Sequence, residues 1–335
     1  MTTWNYKRLL CPRCGTELVT AGDGLICPTE LHAWEIRDGV PVLVPPDLSE
    51  GTVETIKTFS QKWQHNVAAM REERTRIANV WFYERFGFDG GEDLRAFLST
   101  KKRILDAGCG LGNLTTMFAR LAPHAEVWGV DLSQAVHYVQ RAANVRLVQG
   151  DITRLPIEGE FDLIVSDGVL HHTPSTREAV LSLATRLAPD GDFLFYVYKV
   201  KAPVREFTDD LLRSKISSMN PEDAMRVCAA IADIGRQLRE ARVTLHIPTP
   251  VLELGIEAGD YDLQRFIYWT FFKCFWDDEG GMPTSMLENY DWYAPRYAWR
   301  HTWEEVQRWV KEAGLDLVEW DESESGFSVH AKKGI

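Results

Sequence analysis

One stretch around residue 106 constrains the fold of this chain more than any other feature of its sequence. Residues 103–105 read as a short buried strand, and Asp106-Ala-Gly-Cys-Gly-Leu-Gly112 follows as a glycine-rich turn. Residues 114–121 then carry apolar side chains at helical spacing. Because a strand, a glycine turn and a helix form the first unit of nucleotide-binding α/β domains, the sequence predicts an α/β fold with a doubly wound, mostly parallel, Rossmann-like sheet.

The spacing of the glycines indicates which kind of cofactor this turn suits. They occupy positions 108, 110 and 112, whereas the dinucleotide fingerprint has its third glycine at position 113, which is Asn here. The dinucleotide spacing aims backbone N–H groups at a pyrophosphate. A cofactor without phosphates needs an unobstructed loop and a carboxylate for its positive end, and Asp106 supplies that carboxylate. S-adenosylmethionine (SAM), which has an ammonium and a sulfonium group, meets this description.

Two further aspartates stand at predicted strand ends, where open α/β sheets bind ligands. Asp131 ends the second strand, 19 residues after Gly112, and a carboxylate there can accept both hydroxyls of a ribose. Asp151 ends the third strand, where it could accept from the exocyclic amine of adenine. Each aspartate also suits the alternative of a turn or helix cap, and Ser133 is a second candidate cap after Asp131.

Strands and helices alternate through residue 200, and the pattern resumes after residue 300. Before the last strands, Thr302-Trp-Glu-Glu305 has the sequence of a capping box for a helix that Gly314 ends. Residues 201–300 interrupt the pattern, and their aromatic stripe at 266–276 reads mainly as core. The predicted strands after the first are 125–130, 145–149, 161–166, 193–198, 315–320 and 327–332.

These changes of pattern divide the chain into five predicted parts. The insertion before the final helix is predicted to cover the carboxyl ends of the strands and to form one wall of a ligand pocket. The parts are a zinc-ribbon-like domain at 1–48, a helical linker or cap at 49–100, a SAM-binding α/β core at 101–200, a helical substrate cap at 201–300 and the completion of the core at 301–335.

The first part carries three of the six cysteines of the chain. Cys11-Pro-Arg-Cys14 is a Cys-x-x-Cys knuckle, and Cys27 follows a turn-rich hairpin. Thiolates at this spacing suit tetrahedral zinc, and a unit this short has too little core to fold without such a metal. His32 is the candidate fourth ligand and Glu30 competes with it. The alternative is a plain hairpin with reduced thiols that bind no metal.

Four segments in order resemble the successive motifs of class I SAM-dependent methyltransferases. They are similar to the branch that contains the ubiquinone/menaquinone C-methyltransferases and many small-molecule methyltransferases. The resemblance covers about residues 100–200 and resumes at 301–332. The segments are Ile104-Leu-Asp-Ala-Gly-Cys-Gly-Leu-Gly112, Gly129-Val-Asp-Leu-Ser133, Gln149-Gly-Asp-Ile152 and Gly168-Val-Leu-His-His172.

This resemblance assigns expected roles to the strand ends. It implies that the glycine loop lies along the methionine part of SAM, that Asp131 holds the ribose and that Asp151 and Ile152 border the adenine. Residues after Ser166 would flank the methyl group. The expected cofactor-binding residues are Asp106, Gly108, Cys109, Gly110, Gly112, Asp131, Leu132, Asp151, Ile152 and Asp167.

Two clusters are candidates for the acceptor side of the site. His171 and His172 follow the fourth strand, beside the expected methyl position, and either could act as a general base if the acceptor loses a proton. Turn geometry or helix capping is the alternative for both. The loop before the last helix mixes aromatic and charged residues and predicts a substrate wall, with core packing as its alternative. Its candidates, which include Tyr293 as a catalytic residue, are Tyr290, Asp291, Tyr293, Arg296 and Tyr297, together with His172.

The cysteine unit resembles parts of two other families. Cys11, Cys14, Cys27 and His32 are similar to the N-terminal zinc domain of guanine-N1 rRNA methyltransferases. Ile36-Arg-Asp-Gly-Val-Pro-Val-Leu43 is similar to the small zinc-bearing activator subunit of several methyltransferases. In that subunit a fourth cysteine precedes this stretch, and here it is absent.

Composition limits the classes of partner. The formal net charge of −12 disfavours a broad nucleic-acid surface, because phosphate binding rests on basic residues. No apolar run approaches the length of a membrane span, and the N-terminus lacks the apolar core of a signal peptide, so a cytoplasmic location is expected. Nothing in the sequence specifies an oligomeric state.

The sequence thus predicts a SAM-dependent methyltransferase that acts on a small molecule beneath a helical cap. One alternative is an rRNA or tRNA base methyltransferase in which the zinc unit binds the RNA. A strongly salt-dependent affinity for RNA would support this alternative. Another is a non-catalytic SAM-binding module that recruits a partner, which turnover of SAM would exclude.

Overall fold

The computed structural model describes residues 6–66 and 79–334. The aromatic-rich region predicted to be helical from 53 to about 98 is therefore described only in part. Its described portion is helical at α1 (Glu50–Asn66), at residues 79–85 and at α2 (Gly91–Leu98). Within the described ranges, no helix combines the length and apolarity that crossing a membrane requires.

A single large sheet organises the fold. Its eleven strands have the order β1-β2-β3-β4-β7-β6-β5-β8-β9-β13-β12. The six central strands, in the order β4-β7-β6-β5-β8-β9, are parallel to one another. Strand β13 is antiparallel to its neighbours β9 and β12. The strands are β1 Val19–Ala21, β2 Gly24–Ile26, β3 Ala33–Arg37, β4 Val40–Leu43, β5 Arg103–Ala107, β6 Glu126–Asp131, β7 Val145–Gly150, β8 Phe161–Asp167, β9 Leu187–Tyr198, β12 Leu315–Glu322 and β13 Gly326–Lys333, while β10 Thr244–Ile247 and β11 Gly259–Asp262 form a separate hairpin.

Helices cover both faces of the sheet and build a cap beyond it. Side chains alternate along β5, so that Ile104 joins the core on one face and Leu105 the core on the other. The remaining α-helices are α3 Asn113–Leu121, α4 Thr176–Ala184, α5 Pro203–Ile216, α6 Pro221–Glu240, α7 Leu263–Thr270, α8 Gly281–Tyr293 and α9 Trp303–Glu312.

The local signals in the sequence correspond to real helix ends. Asn220 caps α6 by accepting from the Asp223 N–H, and Pro221 occupies the first turn. Thr302 and Glu305 form both hydrogen bonds of the capping box at the start of α9. Ser133 caps a short 3₁₀ segment, Gln134–Tyr138, by accepting from the Ala135 N–H.

The cysteine unit is continuous with the main sheet. Strand β4 lies parallel to β7, with Val42 opposite Gln149 and Leu43 opposite Gly150. Leu9, Leu25 and Leu43 are fully buried in the same core as the α/β strands. The unit therefore extends the sheet at its β7 edge.

The cap is centred on a buried ion pair. Arg205 and Asp209 are one turn apart on α5, and each side chain is 1% exposed. Asp209 also accepts hydrogen bonds from the Trp292 indole at 2.8 Å, the Tyr293 hydroxyl at 2.7 Å and the Lys273 N–H at 3.0 Å. This one carboxylate joins α5 to α8 and to the segment after α7.

Candidate active site

A cavity of about 600 Å³ lies where the strand order reverses beside β5. The carboxyl ends of β5, β6, β7 and β8 open into it, as expected for a ligand site in a doubly wound sheet. Helix α1, residues 81 and 85, and the cap close its other side. Of the sequence-predicted cofactor residues, those in the lining are Asp106, Gly108, Cys109, Gly110, Asp131, Leu132, Asp151, Ile152 and Asp167.

The glycine turn leaves the cavity open at Gly110. A Cβ at Gly110 would lie 3.4 Å from the indole of Trp63 on α1, in the gap between the turn and that helix. Gly112 has a different role, because a Cβ there would lie 2.3 Å from Val139, inside the protein. It does not line the cavity and serves the close packing of the turn.

Asp131 is fixed at the end of β6 by the glycine turn itself. Its Oδ2 accepts from the Gly110 N–H at 2.8 Å, and its Oδ1 accepts from the Ser133 N–H and hydroxyl at 2.7 and 2.6 Å. Burial raises the pKa of this carboxyl. Oδ2 therefore keeps one free lone pair, and rotation of the Ser133 hydroxyl would free one on Oδ1, so the carboxylate can accept from a pair of ligand hydroxyls.

Asp106 lies deeper, beneath the turn. It is 3% exposed, and the Thr115 hydroxyl on α3 donates to its Oδ2 at 2.5 Å. Burial raises the pKa of Asp106 to about 7. A cation bound against it would favour its ionised form, so the carboxylate suits the positive end of a ligand.

Asp151 combines a capping role with a place in the lining. Its Oδ1 accepts from the Thr153 N–H and hydroxyl at 2.8 and 2.7 Å, which caps the short helix Ile152–Arg154. Its Oδ1 therefore has the capping role that was the alternative for this residue. Ile152 beside it is 5% exposed and adds an apolar surface to the lining.

Arg85 was not among the residues singled out from the sequence. Its guanidinium donates to Asp167 Oδ1 at 2.5 Å and lies 4.1 Å from the centroid of the Tyr196 ring. Burial opposes its charge, but Asp167 outweighs burial and raises the pKa of Arg85. Because its partner is 82 residues away in sequence, no local pattern shows the pair.

His172 is the histidine that reaches the cavity. Its Nδ1 lies 2.6 Å from the Tyr297 carbonyl oxygen, and its Nε2 is buried without a partner among the described residues. A carbonyl oxygen can only accept, so Nδ1 carries the proton. Burial lowers the pKa of His172 to about 4, so at pH 7 the ring is neutral and Nε2 is a bare acceptor.

His171 does not reach the cavity. It is fully buried behind His172 and stacks on Tyr198 with ring centroids 3.7 Å apart. Neither of its ring nitrogens has a partner in the described part of the chain. The catalytic prediction for His171 is wrong for this structure, because packing against Tyr198 holds the ring away from the lining.

The region predicted as a loop before the last helix is the end of α8 and the segment after it, and it contributes one of its predicted substrate residues to the cavity. Asp291 lines it and pairs with Lys62 of α1 at 2.6 Å. Burial works against its charge, but Lys62 outweighs burial and lowers the pKa of Asp291. This ion pair ties α1 to the cap across the cavity.

The other predicted substrate residues of this region do not line the cavity. Tyr293 is fully buried and its hydroxyl bonds Asp209 and the Lys273 carbonyl oxygen, so the prediction of a catalytic role is wrong. Tyr290 packs in the core of the cap, and Arg296 is exposed. Tyr297 contributes its carbonyl oxygen to His172, while its hydroxyl contacts Ser49 at 3.2 Å.

One face of α1 forms much of the wall opposite the strands. Its members recur three or four positions apart, a helical stripe that is visible in the sequence. The stripe mixes polar and apolar side chains, and spacing alone does not show whether it faces a core or a cavity. The lining residues are Thr52, Thr55, Ile56, Phe59, Lys62 and Trp63.

The three N-terminal cysteines come together as predicted. The Sγ atoms of Cys11, Cys14 and Cys27 all lie within 4.8 Å of one another, and the Glu30 N–H donates to Cys27 Sγ at 3.4 Å. His32 is not part of this group. Its Nε2 contacts the Arg13 guanidinium instead, which corrects the prediction of His32 as the fourth ligand.

The buried state of His172 has a consequence for stability at low pH. Its pKa is about 4 in the folded protein and about 6.5 when unfolded, so between these values only the unfolded chain binds the proton. Stability is therefore expected to fall as pH drops from 7 to 4, by on the order of 3 kcal/mol from this group.

His172→Asn isolates this contribution, because asparagine can still donate to the Tyr297 carbonyl and does not titrate. Denaturant unfolding at a series of pH values from 7 to 4 should show a smaller loss of folding stability in this variant than in wild type. His124→Asn, at an exposed histidine, should follow wild type. Equal losses in His172→Asn and wild type would contradict the assignment.

Comparison with known proteins finds a family model that matches the central part of the chain. Residues 104–191 match a family model described as a methyltransferase domain. A malonyl-[acyl-carrier protein] O-methyltransferase from Bacillus anthracis is 30% identical over 146 residues, which cover 42% of this chain and 53% of that protein. A trans-aconitate 2-methyltransferase from Deinococcus radiodurans is 35% identical over 104 residues, covering 30% of this chain and 40% of that protein.

These similarities cover less than half of this chain. The chain spans between about a quarter and a half of the length of the first curated relatives that it matches. Among solved structures, a 1,6-didemethyltoxoflavin-N1-methyltransferase from Burkholderia thailandensis aligns over 96% of this chain and 97% of that one, with a TM-score of 0.44 and 14% identity. A likeness this distant carries no information about the cap or the acceptor.

Proposed function

We propose that this chain, whose residues 104–191 match a methyltransferase domain, is a class I SAM-dependent methyltransferase that transfers the methyl group of SAM to a small molecule bound beneath its cap. The observation that carries the proposal is one cavity lined both by the motif residues of the domain and by α1 and the cap. About 600 Å³ is within the usual range for small-molecule sites.

The residues on the strand side fit SAM by their chemistry. Asp131 offers two carboxylate oxygens to a ribose, and the missing side chain at Gly110 leaves room along the turn. Asp106 and Asp167 offer negative charge to an ammonium, and Arg85 offers a guanidinium to a carboxylate. When bound, SAM would supply an activated methyl group.

The chain's own contribution to transfer is binding, orientation and exclusion of water. His172 offers a fixed acceptor to an O–H or N–H of the incoming molecule. The Lys62–Asp291 pair holds α1 against the cap, which encloses the acceptor side. Tyr198 also lines the cavity, and burial raises the pKa of its hydroxyl well above 10, so it stays protonated.

The proposal is tested by incubating the purified chain with methyl-labelled SAM and a metabolite extract of the source organism. We expect label in a compound of low molecular mass, identified by mass spectrometry. Label in RNA alone would favour nucleic-acid methylation instead. The absence of label in every fraction would contradict the proposal.

We further propose that Cys11, Cys14 and Cys27 hold a structural zinc ion. Support comes from the three converging thiols and from the N–H donated to Cys27 Sγ, which suits a thiolate. None of the cysteines is in a disulfide, which supports a reducing compartment such as the cytoplasm.

Elemental analysis tests the metal directly. We expect about one zinc per chain in the wild type and its loss in Cys27→Ser. His32→Ala should keep the metal, because the His32 side chain faces Arg13 rather than the thiols. Cys228→Ser, a buried cysteine of the cap, is the matched control and should also keep it. Loss of zinc in His32→Ala would restore His32 as a ligand.

A further inference from the structure

The charges that line the cavity are strongly unequal. Within residues 6–66 and 79–334, eight carboxylates and two basic side chains contribute to the lining. Both basic residues are already paired, Lys62 with Asp291 and Arg85 with Asp167. A cavity lined by one sign of charge concentrates the opposite sign.

Three of these carboxylates come from the cap. Asp277 and Glu279 precede α8, and Glu288 lies on that helix. In residues 6–66 and 79–334, none of the three has a basic side chain within ion-pairing distance. Asp277 accepts the Gly280 N–H at 2.9 Å, and its negative charge is not balanced by that neutral donor.

A second observation points to a ligand in the same cavity. His172 is 8% exposed, and its Nε2 has no partner among the described residues. Since Nδ1 carries the proton, this atom can only accept a hydrogen bond. A buried acceptor without a donor is unfavourable unless a ligand supplies that donor.

We propose that the acceptor molecule is cationic: an amine of the acceptor is bound by the carboxylate wall of Asp277, Glu279 and Glu288, while an N–H or O–H donates to His172 Nε2. The inference rests on the proposed function and specifies its substrate class. Among the described lining residues, Lys62 and Arg85 are each paired with an aspartate, so neither presents an uncompensated positive charge to an anionic acceptor.

The test uses an extract separated by ion exchange at neutral pH. The intact chain, methyl-labelled SAM and each fraction are incubated together, and label is expected in material retained by the cation exchanger. The active fraction is then treated with acetic anhydride, followed by hydroxylamine, which restores esters and leaves amines acetylated. We expect acetylation to abolish labelling, since it removes the positive charge.

The substitution Glu288→Gln tests whether the carboxylate wall binds the labelled acceptor. Glu288→Gln is expected to lower labelling of that product about tenfold at low acceptor concentration, because a charge-assisted contact is lost. Its affinity for S-adenosylhomocysteine should stay within about twofold of wild type, since Glu288 is on the acceptor side. Glu253→Gln, at an exposed carboxylate outside the cavity, should behave as wild type.

Three results would overturn the inference while leaving the proposed function intact. They are labelling of an anion-exchange fraction, labelling that survives acetylation, and labelling that is unchanged in Glu288→Gln. The absence of both S-adenosylhomocysteine binding and labelling would instead remove the proposed function, and with it the inference.

Discussion

Replacing Asp131 by alanine is expected to weaken S-adenosylhomocysteine binding by about a hundredfold or more. The proposed contacts are two hydrogen bonds from ribose hydroxyls to a buried carboxylate, and each bond to a charged group contributes about 1.5–3 kcal/mol. The alanine variant also loses the acceptor for the Gly110 N–H, which orders the glycine turn. Isothermal titration of wild type and variant measures the effect.

The control for this experiment is Asp151→Ala. Asp151 ends the neighbouring strand β7, lines the same cavity and accepts from the Thr153 N–H in a comparable turn. It is not expected to hold the ribose, so its loss should weaken binding by about tenfold at most. Equal affinity in Asp131→Ala and wild type would mean that Asp131 serves only the turn.

Replacing Asp209 by alanine is expected to cost about 3–5 kcal/mol of folding stability, since it leaves a buried guanidinium without its carboxylate. Arg205 is 1% exposed, and one of its terminal nitrogens already has no partner in the described part of the chain. The Trp292 indole and the Tyr293 hydroxyl lose their acceptor in the same variant. Denaturant unfolding measures the loss.

An exposed ion pair on α6 supplies the matched control. Asp233 pairs with Arg236 at 2.7 Å, and both side chains are at least one-third exposed. Asp233→Ala should change stability by about 1 kcal/mol or less, because exposed pairs contribute little. If Asp209→Ala costs no more than this control, the network does not hold the cap together.

Much of the α/β core could be predicted because its signals are local. Strand, turn and helix follow one another within residues 103–121, and the caps at Asn220 and Thr302 act within one helical turn. Asp131 could be placed at the cavity because parallel strands end at the same edge of the sheet.

The parts that could not be predicted depend on contacts between distant residues. Pairing of β4 with β7 merges the cysteine unit with the sheet, and no local pattern specifies that register. The sequence predicts Tyr293 in an aromatic loop that forms a pocket wall, yet Tyr293 ends helix α8 and its hydroxyl donates to Asp209 in the core of the cap. The Arg85–Asp167 pair likewise exists only after folding.

Saturable binding of S-adenosylhomocysteine to the purified wild-type chain tests the central claim most directly. Titration calorimetry at neutral pH should give a saturable isotherm with about one site per chain, since one cavity brings Asp106, Gly110 and Asp131 together. An isotherm without saturable heat would contradict the account, provided that a cooperative unfolding transition shows the protein used to be folded.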